Sequence, residues 1–378
     1  MINKTYLSMP KKIKIKDDET MKILALTTTM DRPEAEIFVG LAKLGMSIHV
    51  LGDPAEERAA LLREAGITID SYTFKSRFDL EGMRRIRRTI AEYAPDMIYA
   101  LTNRALSTLI CSRVPKHISI IAYRGTVGHL SWVDPTSWFT YLNPRVDKIL
   151  CVSKAVERYL RNLGISQKRL VTIYKGHQIG WYAHPCSSSR EDLGIPSNAF
   201  VVGCTAVMRR VKGVDDLIEA VKIALEKCPD LHLLLVGSIK DPAIEQALAD
   251  FPDKSRIHLT GFRDDAASLA QLMDVTVMAS KSREGFPKSV IEAMAQGVPP
   301  IVTNVGGMPE LVGDGVAGEL VEPCSPVHLS AALTKLYHDS DRREELGVNA
   351  RRRIEEVFSV DESVKQTFEI LKELRSRH

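Results

Sequence analysis

From residue 21 onward, short apolar runs alternate with longer stretches whose apolar positions recur at helical spacing. KILALTTT (22–29) predicts a strand. PEAEIFVGLAKLG (33–45) predicts a helix stopped at Gly45, and SIHVLGD (47–53) the next strand. EERAALLREAG (56–66) is another Gly-stopped helix. LEGMRRIRRTIAEYAPDMIYAL (80–101) reads as a helix, a break at Pro95 and a strand. HISIIAY (117–123), VDKILCVS (146–153) and RLVTIYKG (169–176) are further strands, with the helix KAVERYLRNLG (154–164) among them. Such alternation predicts a parallel sheet covered by helices on both faces.

Pro185, the serines at 187–189 and Pro196 interrupt the rhythm over 177–200, which predicts a linker. The alternation then restarts. Strands are expected at FVVGCTAV (200–207), LHLLLVG (231–237), RIHLTGF (256–262), VTVMAS (275–280), VPPIVT (298–303) and GELVEP (318–323). Helices are expected at 213–227, after Pro287, at 308–315 and from Pro326 to the end. The simplest account is two doubly wound α/β domains in series, at 21–185 and 186–360. Ligands in such folds sit at the carboxyl ends of strands, here in a cleft between domains. No internal repeat of 20–50 residues is present.

Composition narrows the function. The 378 residues, 44% hydrophobic and 26% charged, suit a soluble two-domain protein. A net charge of +3, without interleaved basic and aromatic residues, argues against nucleic acid as a partner. The six cysteines form no C-x-x-C pair, so neither a zinc site nor a disulfide framework is expected, and the reading is a reducing, cytoplasmic setting. Residues 1–20 carry five lysines and no apolar core. They are read as a flexible basic leader rather than a signal peptide.

Three strand–loop–helix junctions carry candidate chemistry. EGFPKSVIEAM (284–294) places Glu284 in a loop and Glu292 a little over a turn into the following helix. The first-turn N–H groups at Ser289 and Val290 suit an anion, and the acids suit sugar or ribose hydroxyls. On residue types alone, both acids merely capping and solvating the helix is an equally good account. Gly306 and Gly307 precede another helix start, where paired glycines allow close backbone approach to a ligand or simply make a tight turn. Arg209, Arg210 and Lys212 crowd a helix start, where the dipole disfavours cations unless an anion sits between them. A solvated basic loop is the alternative. Two decoys are set aside. GDGVAG (313–318) has the Gly spacing of a dinucleotide loop but the wrong flanking elements, and DSD (339–341) reads as a polar turn rather than a metal chelator.

Taken together, EGFPKSVIEAMAQGVPPIVTNVGGMPELVGDGVAGELVEP (284–323) resembles the C-terminal signature of the retaining, family-4 (group 1) glycosyltransferases with the GT-B fold. The likeness includes E-x7-E at Glu284 and Glu292, REDLGIP (190–196) as entry to the donor domain, and RRVKG (209–213) as a phosphate clamp. It is strong over 190–360 and weaker over 21–185, where YRGTVGHLSWVDPTSWFTYL (123–142) is similar to bacterial members that build lipopolysaccharide or other surface glycans. Departures are Lys175-Gly176-His177-Gln178, where an Asn-Gly-x-Asp turn is usual, and a first loop (27–35) without a double glycine.

The resemblance implies a GT-B α/β fold, two Rossmann-like domains facing across a cleft, with a helix at 361–378 packing back on the first. It implies that Arg209 and Lys212 bind the donor diphosphate in place of a metal, that Glu284 contacts the donor sugar and that Glu292 holds the ribose. Gly285, Phe286, Pro287, Lys288, Ser289 and Val290 would line the donor through their backbone. Phe262 and Arg263 would flank the base. His129 would project toward the donor sugar, with a structural or acceptor-loop histidine as the equal alternative, and Arg124, Gly125 and Thr126 would face the acceptor. No cofactor or metal is expected; a nucleotide diphosphate sugar is the co-substrate. The alternatives left open are another GT-B enzyme, such as an epimerase or phosphorylase, and a non-catalytic sugar-nucleotide-binding protein. Arg84, Arg85, Arg87 and Arg88 with Trp132, Trp138, Phe139 and Tyr141 suggest peripheral contact with an anionic inner membrane face, against a plain solvated helix and core aromatics.

Overall fold

The computed structural model describes residues 20–376; the basic leader over 1–19 lies outside them. The strands are β1 (Lys22–Leu26), β2 (Ser47–Gly52), β3 (Thr68–Ser71), β4 (Met97–Ala100), β5 (Ser119–Arg124), β6 (Lys148–Cys151), β7 (Leu170–Thr172), β8 (Phe200–Thr205), β9 (Leu231–Val236), β10 (Ile257–Gly261), β11 (Val275–Met278), β12 (Pro300–Thr303) and β13 (Glu319–Val321). The helices are α1 (Arg32–Lys43), α2 (Glu56–Glu64), α3 (Leu80–Tyr93), α4 (Asn103–Cys111), α5 (Pro135–Trp138), α6 (Lys154–Asn162), α7 (Val214–Ala224), α8 (Pro242–Ala249), α9 (Lys288–Ala295), α10 (Met308–Val312), α11 (Pro326–His338), α12 (Ser340–Glu356) and α13 (Val360–Arg375).

One sheet has seven strands in the order β3-β2-β1-β4-β5-β6-β7, the other six in the order β10-β9-β8-β11-β12-β13. In the second sheet every pairing is parallel. Its central strands β8, β9 and β11 are apolar almost throughout, as strands covered on both faces must be. The order of this sheet reverses between β8 and β11. That makes the carboxyl ends of these two strands its topological switch point, where an open α/β sheet leaves a crevice. In the first sheet the reversal lies between β1 and β4, where Thr28 and Thr102 meet hydroxyl to hydroxyl at 3.1 Å.

The chain forms two compact units. Among the described residues the first comprises 20–123, 131–150 and 364–376, and the second 124–130 and 151–363. This partition is not the one drawn from the linker at 185/186, because the residues before the linker are tied into the second unit. Glu310 accepts from the N–H groups of Lys154 (2.8 Å) and Ala155 (2.7 Å) and from the Tyr174 hydroxyl (3.0 Å). His177 N–H donates to Phe358 O at 2.6 Å.

Helix starts follow the sequence chemistry. Asp31 and Glu34 form a full capping box on α1, and Asp79 caps α3. Asp339 caps α12, which accounts for the DSD triplet, and GDGVAG lies between α10 and β13 with Gly313 ending the helix. Of the aromatics grouped in the sequence, Trp132, Trp138 and Phe139 are exposed, but Tyr141 is buried and donates to Asn103 Oδ1 and Tyr123 O. It belongs to the core because burial leaves its apolar ring packed and its hydroxyl satisfied. Among the described residues no helix is long and apolar enough to cross a membrane, and all six cysteines are free thiols.

Candidate active site

The switch point of the second sheet brings the three sequence motifs together. The β8 strand runs into the turn 209–213, and the β11 strand into the loop 279–287 that opens α9. Lys212 Nζ lies 2.6 Å from Glu284 Oε2, and Ser280 Oγ donates to the same oxygen at 2.8 Å. Both charged side chains of the pair are mostly buried. Arg209 and Arg210 are exposed on the same turn and make no ion pair among the described residues. The mouth therefore holds one neutralised ion pair and uncompensated positive charge beside it.

Neither glutamate caps α9. Glu284 is committed to Lys212 and Ser280, and α9 begins after Pro287 with no side-chain cap. Its first-turn N–H groups, at Lys288, Ser289 and Val290, are thus left to a ligand or solvent. Glu292 is not a solvated-face residue: it is 9% exposed and pairs with Lys288 Nζ at 3.0 Å. Val290 is buried in the core below. Phe286 stacks on Tyr174 at 5.4 Å and meets Phe358 edge-on at 5.0 Å, so its ring anchors the loop while its backbone stays at the mouth.

Two glycines fix the loops against each other. Gly306 has φ +58°, and a Cβ there would stand 1.7 Å from Glu284 O. Gly213 has φ +63°, and a Cβ there would stand 2.0 Å from Ala279 O. The glycine at 306 thus serves the backbone of the Glu284 loop itself, and Gly307 N–H donates to Glu284 O at 3.2 Å.

The other candidates are placed as follows. Phe262 is exposed just past β10. Arg263 is engaged, donating from Nε (2.7 Å) and Nη2 (2.6 Å) to Asp265 and to Ser188 Oγ at 3.0 Å. Those bonds hold the Asp265 carboxyl down to about 2. Arg124 is buried; its guanidinium donates to Thr126 O at 2.9 Å and to Gly128 O, folding the 124–128 segment. Gly125 and Thr126 lie on that segment. His129 follows it with φ +64°, and its Nε2 lies 3.5 Å from Nη1 of Arg283, itself at φ +63°.

Sequence reading passed over Ser280, Lys281 and Arg283. Ser280 and Lys281 lie two and three residues past the end of β11, a position that marks them as loop residues at a strand's carboxyl end. Lys281 Nζ lies 2.6 Å from Asp215 and 3.2 Å from Asp216. Burial pushes the Lys281 ammonium down, but its bonds to the two carboxylates outweigh this and raise it. Asp216 is pushed up, by burial above all.

Residues 187–353 match the family model described as glycosyl transferases group 1, and residues 35–179 the one described as glycosyltransferase family 4. The chain is 25% identical over 336 residues to the capsular polysaccharide biosynthesis glycosyltransferase CapM of Staphylococcus aureus, covering 84% of this chain and 88% of that protein. It is 32% identical over 173 residues to the D-inositol 3-phosphate glycosyltransferase of Corynebacterium kroppenstedtii, covering 43% of this chain and only 38% of that protein's length. The crystal structure of Anabaena Alr3699/HepE in complex with UDP superposes with a TM-score of 0.77 at 24% identity, over 93% of this chain and 100% of that one.

Proposed function

The chain belongs to the group 1 glycosyltransferases of GT-B fold, and we propose from this that it moves a sugar from a nucleotide diphosphate sugar to a hydroxyl of a glycan or glycolipid, retaining anomeric configuration and using no metal. The observation that carries the reading is the Lys212–Glu284 pair at the switch point, flanked by exposed Arg209. The bond from the anomeric carbon to the phosphate oxygen breaks with its electron pair on the diphosphate. The acceptor oxygen forms the new bond, and its proton passes to the departing phosphate oxygen. Arg209, Lys212 and the α9 N–H groups are suited to the charge that develops there. Preorganised donors of this kind contribute about 3–4 kcal/mol each. Glu284, held by Lys212 and Ser280, is suited to accept from a sugar hydroxyl, and Glu292 from the ribose.

The family likeness is what supports retention and the front-face course. The tie of Glu284 to Lys212 also favours them, since an ion-paired carboxylate is a poor nucleophile. A UDP-bound solved neighbour makes uracil the first base to try. Calorimetric titration of UDP, GDP, ADP and CMP in the presence of EDTA tests the donor site. One diphosphate is expected to bind wild type without metal, and Glu292→Ala to weaken it about tenfold, as loss of charge-assisted bonds to buried hydroxyls would. Binding of none, or binding only after a divalent cation is added, overturns the reading.

Peripheral contact with an anionic bilayer belongs to the same proposal. Trp132, Trp138 and Phe139 are exposed in the first unit, with Trp132 against Trp138 at 4.8 Å and Phe78 against Phe139 at 5.1 Å. Arg84, Arg85 and Arg88 line the exposed side of α3 in the same unit, whereas Arg87 donates to Ser112 O.

A further inference from the structure

We propose that Lys281 is a positioning residue for the donor site: it holds the 209–213 turn, and with it Arg209 and Lys212, in register against the loop that carries Glu284. The inference rests on the function proposed above, since the turn's task there is to grip a diphosphate.

Lys281 grips the turn from both sides. Its backbone N–H donates to Val211 O at 2.8 Å. Its ammonium reaches past the turn to Asp215 Oδ2 (2.6 Å) and Asp216 Oδ1 (3.2 Å), in the first turn of α7. Between these two grips lies Gly213, pressed on the carbonyl of Ala279. Residues 279–281 therefore fasten the turn at 211 and 213 and the start of α7 at 215 and 216, and the Lys212 side chain emerges between them toward Glu284.

Lys281 is not a third phosphate ligand, because its ammonium is already shared by two carboxylates. Among the described residues no other side chain pairs with those carboxylates, and Asp215 Oδ1 and Asp216 Oδ2 are buried without a hydrogen-bond partner. Removing the lysine leaves two neighbouring, largely buried acids unpaired and unties the start of α7 from the loop.

A double-mutant cycle read by nucleotide titration tests this, using UDP, or GDP or ADP if wild type binds it more tightly. Lys281→Met is expected to weaken binding about tenfold in the wild-type background and distinctly less beside Lys212→Met, where only its hold on Arg209 remains to be lost. Lys281→Arg is expected to retain affinity. The triple variant Lys281→Met/Asp215→Asn/Asp216→Asn removes the stranded charges together with the brace; it is expected to fold and still to bind weakly. Equal losses in both backgrounds, or full affinity in Lys281→Met or in the triple variant, overturn the brace alone when Lys212→Met itself loses affinity. If wild type binds none of the three nucleotides, the proposed function falls and the brace with it.

Discussion

At the scale of the residue, the acids and cations proposed for the donor site were legible as candidates because Glu284, Arg209 and Lys212 stand past the carboxyl ends of apolar strands, next to a helix start. What they bond to was not legible. Lys212 and Glu284 are 72 positions apart, and Lys281 meets Asp215 across 66, so only the parallel neighbours β8 and β11 bring them together. The paired glycines were read as room for a ligand or as a plain tight turn; at 306 the room is taken by the Glu284 carbonyl. Gly306→Ala is therefore expected to cost on the order of 2 kcal/mol, from left-handed strain and overpacking. It should also weaken nucleotide binding well beyond Gly66→Ala, a left-handed glycine with no atom within 4 Å. Urea unfolding and nucleotide titration of the two variants check both parts; equal behaviour contradicts the assignment.

At the scale of the element, strands buried on both faces announced themselves, and of the four edge strands β7, β10 and β13 were read while β3 was not. β3 is polar and mostly exposed, so it has neither an apolar run nor clean alternation. Helix α4 went unread although Thr102 caps it. The capping chemistry that was missed at α3 has a measurable consequence. Buried Asp79 accepts from the Tyr72 hydroxyl (2.7 Å), Lys75 N–H (3.0 Å) and Gly82 N–H (3.0 Å). Burial pushes this carboxyl up, but the backbone bonds from Gly82 and Lys75 and that of Tyr72 together outweigh it and leave it below the ordinary range. A group whose folded-state pKa is depressed stabilises fully above its unfolded value, near 4, and loses that contribution as pH falls through the folded value. Asp79→Ala is expected to destabilise by about 2 kcal/mol at neutral pH. The gap from wild type should narrow as unfolding is measured progressively below about pH 4; a gap that is constant with pH would assign the effect to packing alone.

At the scale of the whole molecule, alternation alone predicted two doubly wound sheets, and the strand orders bear this out through their two reversals. The limits of the compact units were not legible, because they depend on single side chains such as Glu310 that reach back along the chain. The exposed aromatics of the first unit carry a prediction of their own. Wild type is expected to float with anionic vesicles at low salt and to be released at high salt, and Trp132→Ser/Trp138→Ser to lose binding even at low salt. Absence of wild-type flotation at low salt ends the membrane reading. Glu310, Tyr174 and Phe358 bear on how the gene is divided. A fragment cut at residue 187, where the group 1 match begins, would leave the Glu310 carboxylate without Lys154, Ala155 and Tyr174, and would bare the rings of Phe286 and Phe358 where Tyr174 covers them. Keeping these contacts takes a boundary upstream of α6, near residue 151, and that boundary parts β7 from β6.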